Sequence, residues 1–183
     1  MLVKLSKVQK LSLTDLMGEP HKLDPVSVIL EDFGTGKGKI IIECFGQSWS
    51  SFWPAMGERD IAAFFCRCDE HYIAKNLSGV RSDIPDYAGL VEKARNEVVR
   101  LRRDGDLNGI EARELFDQCR KFEEVENADQ VDGFLMQEIF GDDWWYCIPD
   151  KPNPDYRYLC RIIKAVQAGI KQVGLNEEGS GHE

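Results

Sequence analysis

Four short stretches of this chain contain residue types that could do chemistry. The first is GTGKGK at residues 34–39, where glycine N–H groups and lysine charges resemble a loop that binds phosphate. A P-loop needs the spacing GxxxxGK[ST] followed by a helix, whereas an apolar, strand-like run follows Lys39. The pattern therefore favours a glycine-rich hairpin turn over a nucleotide-binding loop.

The second stretch places three potential metal ligands, Cys66, Cys68 and His71, within six residues. On a helix, side chains two residues apart diverge by about 200°, so the two cysteines cannot face one ion together. No CxxC or HxxxH pair elsewhere completes a tetrahedral set. We expect buried cysteines beside an exposed histidine, and no bound zinc.

The third stretch, DGDLNG, spaces Asp104, Asp106 and Asn108 like the first oxygen ligands of a calcium loop. The glutamate of such a loop comes at position twelve, whereas Glu114 stands at position eleven. Because the loop is one residue short, we favour a polar turn in which Asn108 caps the next helix. We predict no metal and no cofactor. In the alternative hypothesis of a calcium site, the ligands are Asp104, Asp106, Asn108 and Glu114.

The fourth feature is two aromatic clusters, which either pack in a core or anchor a partner protein. The first cluster contains Trp49, Phe52 and Trp53, and the second contains Trp144, Trp145 and Tyr146.

Acidic residues surround the second cluster. Residues 111–150, the acidic segment, hold twelve acidic and three basic residues and so account for the whole formal net charge of −9. We predict that the aromatic rings, together with Glu123, Glu124 and Glu126, bind a partner protein. The alternative interpretation of the acidic segment is a solvated helical face.

Nucleic-acid binding is the second functional hypothesis, in which tryptophans stack on bases and a basic strip follows the phosphate backbone. The basic candidates are Lys37, Lys39, Arg95, Arg100, Arg102 and Arg103. An acidic surface repels nucleic acid and anionic membrane, which argues against this role and against membrane binding.

An enzyme of unknown type, with a site between sheet and helices, is the third hypothesis. The histidines His21, His71 and His182 stand in a turn-like stretch, on a predicted helix and in the tail, so no nucleophile–base pair can be assigned. We therefore prefer binding to catalysis.

The expected location is a cytoplasm. No apolar run approaches the roughly 20 residues that span a bilayer, and the N-terminus lacks the apolar core of a signal peptide. Six cysteines scattered through apolar segments suit reduced, buried thiols better than a disulfide framework.

Periodicity predicts the elements that position these residues. Alternating patterns predict strands over residues 2–14, 23–32 and 39–49, with Gly34, Gly36 and Gly38 at positive φ in one hairpin loop. Helical spacing over residues 60–77 predicts a helix that Gly79 ends.

Nearly all of the chain after Ser82 has helical spacing. Helix ends are expected at Gly105, Gly141 and Gly174, and Asn127 with Gln130 resembles a capping box. Strands followed by helices predict an α+β fold: an N-terminal antiparallel β-meander packed by one helix, then a mostly helical C-terminal lobe. We expect one domain over residues 1–174 (sheet plus helix 1–79, helical lobe 82–174) and a flexible tail at 175–183.

Two segments resemble a known family. Residues 22–65 (KLDPVSVILEDFGTGKGKIIIECFGQSWSSFWPAMGERDIAAFF) and 154–171 (PDYRYLCRIIKAVQAGIK) are similar to small accessory proteins encoded by temperate bacteriophages and prophages of enteric bacteria. The resemblance implies a bacterial cytoplasm and a target among host or phage macromolecules, and it carries no assigned activity or site residues. We therefore predict a phage protein that binds and modulates a host or phage protein, with an acidic face that can imitate DNA.

Overall fold

The computed structural model describes residues 1–3, 5–18 and 21–176. The strands in this part of the chain are β1 (Gln9–Leu13), β2 (Val26–Asp32), β3 (Gly38–Cys44), β4 (Gln47–Trp53), β5 (Asp83–Pro85) and β6 (Asp150–Pro152). The α-helices are α1 (Ile61–Arg67), α2 (Glu70–Leu77), α3 (Tyr87–Asp104), α4 (Gly109–Gln118), α5 (Gly133–Phe140) and α6 (Pro154–Gln172). Short 3-10 helices cover Cys119–Phe122, Ala128–Gln130 and Trp144–Cys147.

Strands β1 to β4 form an antiparallel meander in chain order. Alternate residues of β2 and β3 are buried, because successive side chains of a strand point to opposite faces. The buried positions are Val26, Val28, Leu30, Ile40, Ile42 and Cys44. Helices α1, α2 and α6 pack against the sheet, and Phe65, Ile73 and Val166 are among their fully buried side chains. The predicted α+β fold is confirmed.

Contacts divide the chain into two compact units. The first unit is Met1–Arg81 with the segment that starts at Pro154, and the second unit is Ser82–Asn153. Helix α6, which lies in the helical lobe predicted over residues 82–174, packs with α1, α2 and the sheet. Its buried stripe, which includes Ile162, Val166 and Ile170, is the reason.

The second unit has its own core, built from α3, α4, α5 and the turn after α4. Leu90, Val98, Phe122, Met136 and Ile139 are among its buried side chains. Strands β5 and β6 pair antiparallel at its two ends. The Asn153 N–H donates to the Ser82 carbonyl at 2.8 Å, so the first and last residues of this unit are neighbours.

Two strand predictions need correction. The strand predicted over residues 2–14 is paired only at Gln9–Leu13. The strand predicted over residues 39–49 is a hairpin, in which Phe45 (φ 48°) and Gly46 (φ 77°) form a two-residue turn between β3 and β4. A phenylalanine at positive φ is rare, so this turn has no typical sequence signal.

Two helix predictions also need correction. The helix predicted over residues 60–77 breaks at Cys68, whose backbone is extended, and Asp69 caps α2. Asn127 caps the 3-10 helix Ala128–Gln130, which contains Gln130, and Asp132 is the residue whose side chain caps α5. The expected ends at Gly105 and Gly141 are confirmed.

The predicted tail lies almost wholly outside the described residues, as does His182. Within the described part of the chain, no helix combines the length and apolar character needed to cross a bilayer.

Candidate functional site

The second unit exposes three aromatic rings at the start of α5 and in the 3-10 helix Trp144–Cys147. Phe134, Trp145 and Tyr146 are 87%, 51% and 81% exposed, and we call these three residues the aromatic patch. Trp144 is half-buried, and its Cζ2 atom lies 3.4 Å from where a Cβ on Gly133 would stand. The Trp145 ring centroid is 6.0 Å from that of Trp144 and 5.8 Å from that of Tyr146, so Trp145 lies between the half-buried Trp144 and the exposed Tyr146.

Helix α5 buries Leu135, Met136 and Ile139 and leaves Phe134 in solvent. In the sequence GFLMQEIF apolar residues fill more than one helical face, so not all of them can point into the core. That excess of apolar residues is the signal that would have identified Phe134.

Most carboxylates of the acidic segment are exposed and have no cationic partner among the described residues. In the described part of the chain, two of its carboxylates form ion pairs: Glu123 with Arg95 at 3.2 Å and Asp132 with Lys121 at 3.2 Å. The hydrogen bond from the Leu135 N–H lowers the pKa of Asp132, and Lys121 lowers it further by a smaller amount. The segment therefore presents most of its negative charge to solvent.

The structure brings together on one turn the three glutamates predicted to bind a partner protein, Glu123, Glu124 and Glu126. Phe122 is fully buried and Val125 is 7% exposed, so these two side chains anchor the backbone while the three glutamates are exposed. The Glu126 N–H donates to the Gln130 side chain at 2.8 Å and closes the turn. An anchored turn holds its charges at defined positions, as recognition requires.

Trp49 and Trp53, the tryptophans of the first aromatic cluster, are less exposed than Trp145. Trp53 is 5% exposed and belongs to the core of the first unit, where its ring centroid is 5.6 Å from that of Phe64. Trp49 is half-buried at the edge of the same core. Since a buried ring offers little surface to a partner, the structure favours a packing role for both tryptophans.

The basic candidates are divided between the units. Lys37 and Lys39 lie at the β2–β3 hairpin of the first unit, with Lys37 exposed and Lys39 half-buried. On α3, Arg95 binds Glu123 and its guanidinium lies 5.3 Å from the Phe116 ring centroid.

The other arginines of α3 differ from one another. Arg100 binds Glu97 at 2.7 Å and Asp104 at 2.6 Å, and these pairs raise its pKa, the Glu97 hydrogen bond most. Arg102 and Arg103 instead line a cavity between α3 and α4. The four arginines are therefore not one free basic strip.

The stretch DGDLNG, residues 104–109, connects α3 and α4. Asp104 binds Arg100, and the Asn108 side chain accepts from the N–H groups of Ile110 and Glu111. Glu111 returns a bond to the Asn108 N–H at 2.8 Å, which completes a capping box. Among the described residues no cluster of three histidine, cysteine or carboxylate side chains is arranged to hold a metal ion.

The cysteine–histidine stretch also has structural partners. Burial raises the pKa of the Cys66 and Cys68 thiols, which keeps both protonated. His71 stacks on Tyr156, with Nδ1 2.9 Å from the tyrosine hydroxyl. All six cysteines are free.

By its fold, the chain is a small α+β protein with a four-stranded antiparallel meander. Comparison with known proteins places it more narrowly: residues 1–172 match the model of a family described as a phage family, Phage_phiTE_072. The chain therefore belongs to this phage family. No curated protein and no solved structure matches it significantly. The phage part of the resemblance seen in residues 22–65 and 154–171 is confirmed.

Proposed function

We propose that this phage protein acts by binding and modulating a host or phage protein through the aromatic patch and the acidic segment of its second unit. The observation that carries the proposal is the exposure of Phe134, Trp145 and Tyr146. Large exposed apolar side chains are typical of interaction sites, and tryptophan and tyrosine are enriched among residues that dominate binding energy.

The chemistry of the surface defines the partner. Exposed carboxylates without cationic partners, such as Glu124 and Glu126, attract lysine and arginine, and guanidinium groups also bind the faces of tryptophan and tyrosine. The surface thus fits a basic protein region that also presents apolar side chains. A nucleic-acid enzyme has such a region, so an acidic face of this kind would compete with DNA.

Affinity capture tests the proposal. Tagged protein is incubated with lysate from bacteria infected by a phage that carries this gene, with and without nuclease, and retained proteins are identified by mass spectrometry. We expect one stoichiometric protein that survives nuclease. The double variant Trp145→Ala/Tyr146→Ala should retain at least about tenfold less of it, whereas Ile110→Ala, which removes an exposed apolar side chain elsewhere in the unit, should not change retention.

Charge reversal tests the acidic part separately. Glu123→Lys/Glu124→Lys/Glu126→Lys should weaken capture, and Glu124→Lys/Glu126→Lys should do so without breaking the Arg95 pair. A control with lysine at the exposed positions Glu43, Glu58 and Glu92 has the same net charge as the triple variant. Unchanged capture by the triple variant would contradict the proposal, and retention that disappears with nuclease would favour nucleic-acid binding.

A competition assay tests DNA mimicry. Labelled duplex DNA is bound to the captured protein, and the phage protein is added. Displacement by wild type but not by the triple lysine variant is expected.

A further inference from the structure

The cavity between α3 and α4 has properties that the proposed function does not use. Its volume is about 550 Å³, within the range of small-molecule sites. It is lined by Arg102 and Arg103 of α3, by Arg113, Phe116 and Asp117 of α4, and by small apolar side chains of both helices. Three guanidinium groups against one carboxylate make this region positive in a chain of net charge −9.

These arginines differ from their neighbours on the same helix. Arg95 and Arg100 are neutralised by Glu123, Glu97 and Asp104. By contrast, Arg102, Arg103 and Arg113 have no ion pair with any residue that the structure describes. Unpaired guanidinium groups grouped around a concave site attract an anion, and their planar forks match phosphate oxygens.

The rest of the lining indicates what is attached to the phosphate. The cavity is much larger than a phosphate group, and its apolar part includes Phe116, which is 39% exposed. An aromatic side chain of this kind stacks on a planar base. Asp117 supplies a hydrogen-bond acceptor for a sugar hydroxyl or an exocyclic amine.

We propose that this cavity binds a nucleoside phosphate, with Arg102, Arg103 and Arg113 on the phosphates, Phe116 on the base and Asp117 on a hydroxyl or amine. The site is independent of the aromatic patch and does not rest on the proposed function. It requires one small anionic ligand and no nucleic-acid strand.

Isothermal titration calorimetry of the full chain with ATP tests this site. We expect saturable binding that weakens as salt is added. Pyrophosphate and adenosine should each bind at least about tenfold more weakly, because each makes only part of the contacts. Arg102→Ala/Arg113→Ala should weaken ATP binding roughly ten- to a hundredfold, and Phe116→Leu should weaken ATP more than pyrophosphate.

Two controls separate this result from general effects. Arg100→Ala removes an arginine of the same helix that is paired and does not line the cavity, so it should leave ATP affinity unchanged. Trp145→Ala/Tyr146→Ala should also leave it unchanged, while reducing protein capture.

Several results would overturn the inference: no saturable ATP binding up to about 1 mM, equal affinity for pyrophosphate and ATP, or unchanged affinity in a folded Arg102→Ala/Arg113→Ala variant. Tighter binding of a single-stranded oligonucleotide than of ATP would also overturn it, in favour of a nucleic-acid strand.

Discussion

At the scale of single residues, the glycines of residues 34–39 serve packing and turn geometry. Gly34 (φ 101°) and Gly36 (φ 70°) have positive φ, as predicted, but Gly38 does not. Gly38 begins β3, where a Cβ would lie 2.6 Å from Ile61 Cβ, so glycine is needed there for space. The prediction located the turn correctly and missed this reason, since Ile61 is distant in sequence.

Substitutions at Gly36 and Gly34 test whether a glycine is needed for space or only for its positive φ. A Cβ at Gly36 would lie 1.9 Å from the Gly57 carbonyl oxygen, whereas at Gly34 it would meet open space. We expect Gly36→Ala to lower the free energy of unfolding by more than about 3 kcal/mol, because backbone must move. Gly34→Ala should cost about 1 kcal/mol, from the positive φ alone. Urea denaturation measures both, and equal losses would contradict the assignment.

At the scale of elements, boundaries made by neighbouring residues were predictable and boundaries made by remote ones were not. The end of α3 at Gly105 and the start of α4 at Asn108 depend on residues within one turn. The break between α1 and α2 depends also on Gln167 of α6, whose side-chain amide donates to the carbonyls of Phe65 at 2.9 Å and Cys68 at 2.8 Å. No pattern in residues 60–77 shows that contact.

Asp69 tests the start of α2. Its side chain accepts from the His71 N–H at 3.0 Å and the Tyr72 N–H at 2.9 Å. Asp69→Ala should lower the free energy of unfolding by about 1 kcal/mol, and Asp69→Asn, which keeps a capping oxygen, should cost less than about 0.5 kcal/mol. Thermal denaturation followed by circular dichroism distinguishes them. If alanine and asparagine behave alike, the cap does not stabilise the helix.

At the scale of the whole molecule, a continuous segment is inserted between the two parts of the first unit. Because Ser82 and Asn153 are hydrogen-bonded at 2.8 Å, removing the segment between them leaves a gap that a short linker can close. Each unit also has its own buried cluster. These two facts make independent folding testable.

We expect a fragment of residues 82–153 to fold alone, and a chain that joins Arg81 to Pro154 through about three residues of glycine and serine to fold as well. Both should show helical circular dichroism and cooperative unfolding in urea. If neither unfolds cooperatively, the two units depend on each other and the single domain predicted for residues 1–174 is the better description.

The residues themselves dictated the α+β order, the hairpin at Gly34 and Gly36, the end of α3 and the start of α4, and the concentration of charge in the acidic segment. Each follows from backbone preferences, capping or composition within a few positions. Tertiary packing decided the rest: that α6 joins the sheet, that Trp53 is buried while Trp145 is exposed, and that Arg102 and Arg113 line one cavity. These depend on which surfaces meet across long stretches of chain, and hydrophobic burial is non-directional, so periodicity marks a residue as apolar without saying which neighbours will cover it.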